Sequence, residues 1–358
     1  MIRRTVICIV VCTLFLCGQA RAEDAALPAE LEREVPQAAQ LISGDADDGF
    51  GLAKGASLLL AQALADAKQY ILAGVRALAS VLVGVVLLGM VESISGDGVV
   101  SRRADLIGAL YITSISAGDI NALIGLGRDT IENVSALSKV LIPSLAAATA
   151  AGGGVTAASV RQVTTVFFTD VLLTLIDRLL IPMLYVYIAC AVASAVVDNG
   201  VIEGIASLIK KVTGWGLGIL LSAYTAYLSI SGAIAGAVDA QAVRVAKTAV
   251  SAAVPVVGGI LSDAAETLLA GAGVLRAMIG AFGALAIIAL CALPFLRLGA
   301  QYLMYQAAVF VAQAAGPKKL AGMLKMLSDA FALTLAMTGA SALLLLIALV
   351  STLTVVTA

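Results

Sequence analysis

Apolar stretches of about 20 residues recur along this chain, and each is long enough to cross roughly 30 Å of hydrocarbon as a helix. No other feature restricts the fold as much. Of the 358 residues, 61% are hydrophobic and 13% are charged, where soluble domains carry about 25% charged residues. The expected fold is all-α: a polytopic integral membrane bundle of about seven spans, with the lipid bilayer as its first partner. A net charge of −1, with no basic patch able to neutralise several phosphates, excludes nucleic acid as a partner.

The N-terminus, "MIRRTVICIVVCTLFLCGQARAED", has a basic pair (Arg3, Arg4), an apolar core over residues 5–16, and small residues around Ala20 and Ala22. This pattern predicts a signal peptide over residues 1–22, cleaved after Ala22. Lipidation at Cys17 is disfavoured by the bulky Leu16 before it. Cys8, Cys12 and Cys17 depart with the signal. Cys190 and Cys291 remain inside apolar runs as small hydrophobes, so no disulfide framework is expected. Histidine is absent, which removes Ser-His-Asp and Cys-His chemistry and the commonest metal ligand. "SGDG" at 95–98 and "SAGD" at 116–119 lack the first glycine of an intramembrane aspartyl protease motif. The chain is read as a non-enzyme, with no catalytic residue, cofactor or metal. "GWGLG" around Trp215 follows no strand, so it is not a nucleotide loop.

Residues 23–70 read as an acidic extracytoplasmic lead-in and then an amphipathic interfacial helix at 52–70. The membrane domain covers 71–358. Its first span, about 71–94, precedes Arg102 and Arg103, and short basic loops mark the cytoplasmic side. An extracytoplasmic N-terminus agrees with that direction. Residues 106–151 read as one span plus an interfacial helix, or as two short spans. Further spans are expected near 163–197, 212–238, 277–296, 298–316 and 330–356. The charge rule then meets a conflict. With Lys210 and Lys211 cytoplasmic, two spans between 277 and 316 put Lys318 and Lys319 outside. A re-entrant segment between 239 and 275, or a span miscounted earlier in the chain, would repair the parity. Gly214 with Gly218, Gly232 with Gly236, and Ser229 with Ala233 and Ala237 predict close helix packing.

Ionisable groups within spans are expensive and mark function by default. Asp170, Asp177 and Arg178 are the deepest: the two aspartates share a helix face and Arg178 points about 100° away. Tyr302, Gln306 and Gln313 form a polar stripe with Val309, expected to face other helices. One reading is therefore a stand-alone secondary transporter with Asp170, Asp177 and Arg178 as its coupling site. Such transporters often show paired broken helices in two related halves, and no internal repeat is evident here.

"SAAVPVVGGILSDAAETL", residues 251–268, is too broken for a span and too apolar for a soluble loop. Pro255 breaks a helix, and Gly258 and Gly259 loosen the backbone beyond it. Asp263 then suits a helix cap, with Glu266 reaching back. The segment reads as helix, break, capped helix within a broken region at 239–276. Irregular backbone exposed to lipid is not tolerated. The break is thus either an interfacial elbow or a re-entrant element lining a path.

The block from Lys247 to Gly280 resembles the signature of the stage III sporulation protein AE family. That pattern has a basic residue, P-x-V-G, a Ser/Thr-Asp-Ala step, a second basic residue and a glycine. Here these are Lys247, Pro255, Val257, Gly258, Ser262, Asp263, Ala264, Arg276 and Gly280. Arg276 stands where the family pattern has lysine. The resemblance implies a membrane component of a channel or secretion-like complex between mother cell and forespore. It further implies ring-forming and membrane subunits and an ATPase as partners, and a place in the mother-cell membrane facing the forespore. It supplies no catalytic residue. A second copy of the chain is a further candidate partner.

Overall fold

The computed structural model describes residues 52–95, 99–197, 200–253 and 258–354, and these are helical almost throughout. The elements are α1 (Leu52–Ser95), α2 (Val99–Ala151), α3 (Val155–Leu175), α4 (Ile181–Val196), α5 (Gly200–Ala253), α6 (Gly258–Ala315) and α7 (Lys318–Thr354). A single π turn, Ile176–Leu180, joins α3 to α4. The signal peptide and most of the acidic lead-in lie outside the described residues.

Helix ends fall where the sequence removes an amide or a side chain. Gly152, Gly153 and Gly154 turn α2 into α3, and Gly153 takes φ 87°, a conformation that a Cβ makes costly. Gly316 and Pro317 separate α6 from α7. Pro143 and Pro294 interrupt nothing and lie within α2 and α6.

Six stretches among the described residues are long and apolar enough to cross a membrane. Three differences from the sequence expectation share one cause: without a strong breaker, the helix continues. The interfacial helix at 52–70 and the first span are one helix. Residues 106–151 are one helix as well. The two spans expected at 277–296 and 298–316 belong to a single helix, α6.

That continuity resolves the parity conflict. α5 leads away from one end of the bundle, α6 returns, and α7 starts where α5 started. Lys210 Nζ of α5 lies 2.7 Å from Asp329 Oδ2 of α7, and Lys319 of α7 lies 4.0 Å from Asp105 of α2. Arg103, Lys210, Lys211, Lys318, Lys319 and Lys325 therefore gather towards one end. The hairpin at 152–154 and the α5–α6 junction occupy the other.

α7, α6 and α2 are the enclosed helices, and α1, α3–α4 and α5 wrap them. The apolar core has two layers. Nearer the basic end it packs Ile112, Leu184, Tyr224, Leu298, Leu324 and Phe331. The far layer packs Leu141, Ile279, Phe282, Leu285, Leu345 and Leu349. Most buried hydroxyls are satisfied locally or across helices, with Tyr305 donating to Ser116 at 2.6 Å and Tyr224 paired with Thr165 at 2.9 Å, while those of Ser135 and Thr169 have no hydrogen-bond partner. Among the described residues, close approach occurs at Gly84 and Gly283. A Cβ on Gly84 would strike Tyr111, and one on Gly283 would strike Leu141 and Leu349. Gly214 and Gly218 instead have nothing within 4 Å of where a Cβ would stand among the described residues.

Candidate functional site

The most unusual chemistry on the bundle is a charged face at mid-height, formed by α2 and the π turn. Pro182 accounts for the turn. Its ring lacks the amide that would bond the Arg178 carbonyl, and crowds that carbonyl. The backbone widens to the i→i−5 pattern instead, with the Ile181 amide donating to the Ile176 carbonyl. Such π turns occur disproportionately at functional sites.

The widened turn presents Asp177 to Arg128 of α2. Arg128 grips it with both arms, Nε at 3.1 Å from Oδ1 and a terminal nitrogen at 3.3 Å from Oδ2. Its Nε also lies 3.2 Å from Glu132 Oε1, one turn along α2. All three side chains are about half exposed. Asp129, Lys139, Asp170 and Arg178 are exposed on the same side of the bundle, and none has a charge partner among the described residues. Asp170 and Arg178 thus share the face with Asp177 but do not join its ion pair.

A second cluster clamps α5 to α7 near the basic end. Asp329 receives Lys210 at 2.7 Å and a long bond from the Tyr187 hydroxyl at 3.5 Å. A third feature is at the far end, where Asp239 of α5 accepts the Thr156 amide at 3.1 Å. Gly154 has no side chain with which to cap α3, so a carboxylate from a neighbouring helix takes that role.

The family-signature residues split across the α5–α6 junction. Lys247 is in the last turns of α5 and Gly258 opens α6. Pro255 and Val257 lie outside the described residues. Asp263 and Glu266 are inside α6, and Asp263 is its sixth residue. The expected cap role for Asp263 is therefore corrected: the helix starts a full turn earlier, at Gly258, so the Asp263 amide is already past the first turn. Arg276 is buried, and its Nε has no hydrogen-bond partner. In the polar stripe, Gln306 donates to the Tyr302 hydroxyl at 3.3 Å, Val309 is buried and Gln313 is exposed. Cys190 and Cys291 are free thiols. Among the described residues no group of three His, Cys, Asp or Glu side chains could hold a metal.

Sequence reasoning missed the partnership of Arg128 with Asp177, the Lys210–Asp329 clamp and the Asp239 cap. A proline four residues after Arg178 was a readable signal for the π turn. The other two join residues distant in sequence, and no local pattern announces them.

A family model described as Stage III sporulation protein AE matches residues 52–356. The chain belongs to that family. A relative from Bacillus subtilis (strain 168), named Stage III sporulation protein AE, is 22% identical over 231 residues. The match covers 64% of this chain and 58% of the relative. No solved structure matches the chain. The family and the six apolar helices together make this a multi-pass membrane protein of sporulation.

Proposed function

We propose that the chain is a non-enzymatic membrane subunit of a channel or secretion-like complex between mother cell and forespore, needed for forespore development after engulfment. The observation that carries this reading is a family match running from the first described helix into the last. A tall helical bundle with hydrophilic chemistry on its flank suits a structural part of a conduit. The partners are other membrane subunits, ring-forming subunits and an ATPase that powers assembly or transport.

Orientation is argued from charge. Short basic segments stay in the cytoplasm, so the end carrying Arg103, Lys210, Lys211, Lys318 and Lys319 faces the mother-cell cytoplasm. The hairpin at 152–154, the α5–α6 junction and the acidic N-terminal lead-in then face the space between the two membranes. Ring-forming partners would meet them there.

The test is deletion of the gene in its own host, with a membrane dye and a forespore-specific reporter tracked through sporulation. Engulfment should finish, development should then stop, and a plasmid copy should restore it. Mature spores at wild-type frequency from the deleted strain would refute the reading.

A further inference from the structure

The exposed face of α2 is unlike that of α5. α5 exposes large apolar side chains at intervals along its length, from Val201 through Trp215 and Ile230 to Val245. α2 exposes none between Tyr111 and Val155. Its outward residues are small, polar or charged, with Ala117, Asn121, Asn133 and Ala136 accompanying the charges. This helix is nonetheless apolar enough over Asp105–Ala151 to cross a membrane. Leu106, Ile107 and Leu110 are exposed near its start, but beyond Tyr111 its large apolar side chains are turned inward.

Charge at such depth is costly against acyl chains, so this face is covered by protein or water. The charges indicate which. Once Arg128, Glu132 and Asp177 have satisfied one another, four exposed groups remain: Asp129 and Lys139 on α2, Asp170 on α3 and Arg178 in the π turn. Two are acidic and two basic, and each of the two strips of the face carries one of each sign. A partner of a single charge would repel half of them.

Their heights also match. α2 and α3 are antiparallel and are tied at one level by Arg128 and Asp177. From that level Lys139 lies about 16 Å along α2 and Asp170 about 10 Å along α3, in the same direction and within about one helical turn of each other. Asp129 and Arg178 both remain near the level of the tie. Copies in one membrane share their orientation, so a two-fold axis along the bundle preserves every height. α2 of one copy then meets α3 and the π turn of the other. Lys139 faces Asp170, and Asp129 faces Arg178, twice over.

We infer that this face is an interface between copies of the chain, which pack α2 against the neighbour's α3 and π turn. Small residues on α2 allow the backbones to approach closely. A groove of about 120 Å³ between α2 and α4, lined by Thr113, Ala117, Asn121, Tyr185, Ile188 and Val192, offers room for a side chain from the neighbour. The inference does not depend on what the assembly transports.

Two differently tagged full-length copies, both with Cys8, Cys12, Cys17, Cys190 and Cys291 replaced by alanine, are produced in one membrane. One carries Lys139→Cys and the other Asp170→Cys. Oxidation or a short bismaleimide should link the two tags into one species of twice the chain mass. Val212→Cys paired with Ile219→Cys on α5 should not link. In a second measurement without cysteines, Arg178→Asp in both copies should lower co-purification of the two tags about tenfold. Adding Asp129→Arg should restore it, since opposed charges are again paired. Free reaction of both cysteines with a membrane-impermeant thiol reagent, without linkage, would overturn the inference in favour of a water-lined face. A link to a protein of different mass would overturn it in favour of another subunit. Co-purification insensitive to Arg178→Asp would overturn it as well.

Discussion

Lys210 and Asp329 hold α5 against α7, and they are unequally shielded: the Lys210 side chain is 48% exposed and that of Asp329 only 15%. Removing either partner therefore leaves a different problem. In Lys210→Met, an enclosed carboxylate keeps only the long bond from Tyr187 at 3.5 Å. In Asp329→Asn, a half-exposed ammonium swings into water. Stripping one partner from a fully buried pair costs about 3–5 kcal/mol, and breaking an exposed pair about 0–1 kcal/mol. The aspartate sits nearer the first limit and the lysine nearer the second. The expected costs are thus about 2–3 kcal/mol for Lys210→Met and about 1 kcal/mol for Asp329→Asn. The double variant leaves no orphaned charge and should cost about 1 kcal/mol, which gives a coupling of about 2 kcal/mol. Reversible unfolding of the full-length chain from mild detergent into dodecyl sulfate, monitored by helical circular dichroism, measures all four proteins. Equal costs for the single changes, or additive costs in the double, would show that the difference in shielding does not govern the pair.

Two other substitutions test the backbone argument. Pro182→Ala restores an amide opposite the Arg178 carbonyl and should close the π turn, rotating Asp177 by about 100° away from Arg128. Disulfide formation between Arg128→Cys and Asp177→Cys within one chain should then slow several-fold, and an unchanged rate would show that Pro182 does not set the turn. Gly283→Ala places a Cβ 2.6 Å from Leu349 and 2.7 Å from Leu141, and should destabilise by about 1–3 kcal/mol. Gly214→Ala meets nothing within 4 Å and should stabilise by up to about 1 kcal/mol. The same unfolding assay ranks the pair, and the opposite order would refute the packing described.

The class of fold was legible because apolar runs of membrane length leave few alternatives. Where each helix ends was less so. The spans expected at 277–296 and 298–316 are one helix, because the one missing amide at Pro294 does not outweigh the packing on either side of it. The cap assigned to Asp263 failed for a related reason: α6 was already under way at Gly258. Asp170, Asp177 and Arg178 stood out because charges in apolar runs are rare. Their setting did not, since Arg128 lies 49 positions before Asp177 and only the antiparallel packing of α2 and α3 brings them together. Glycine spacing did not locate the close approaches within the chain: Gly214 and Gly218 line up on α5 with nothing within 4 Å among the described residues.

The apolar ridge of α5 has a consequence for how the molecule lives. From Val201 to Val245 it rises about 66 Å, more than twice the thickness of a hydrocarbon core. A single bilayer can wet about half of that height. The remaining greasy flank needs neighbours as a mast needs stays, and a subunit made without them should clump or be degraded.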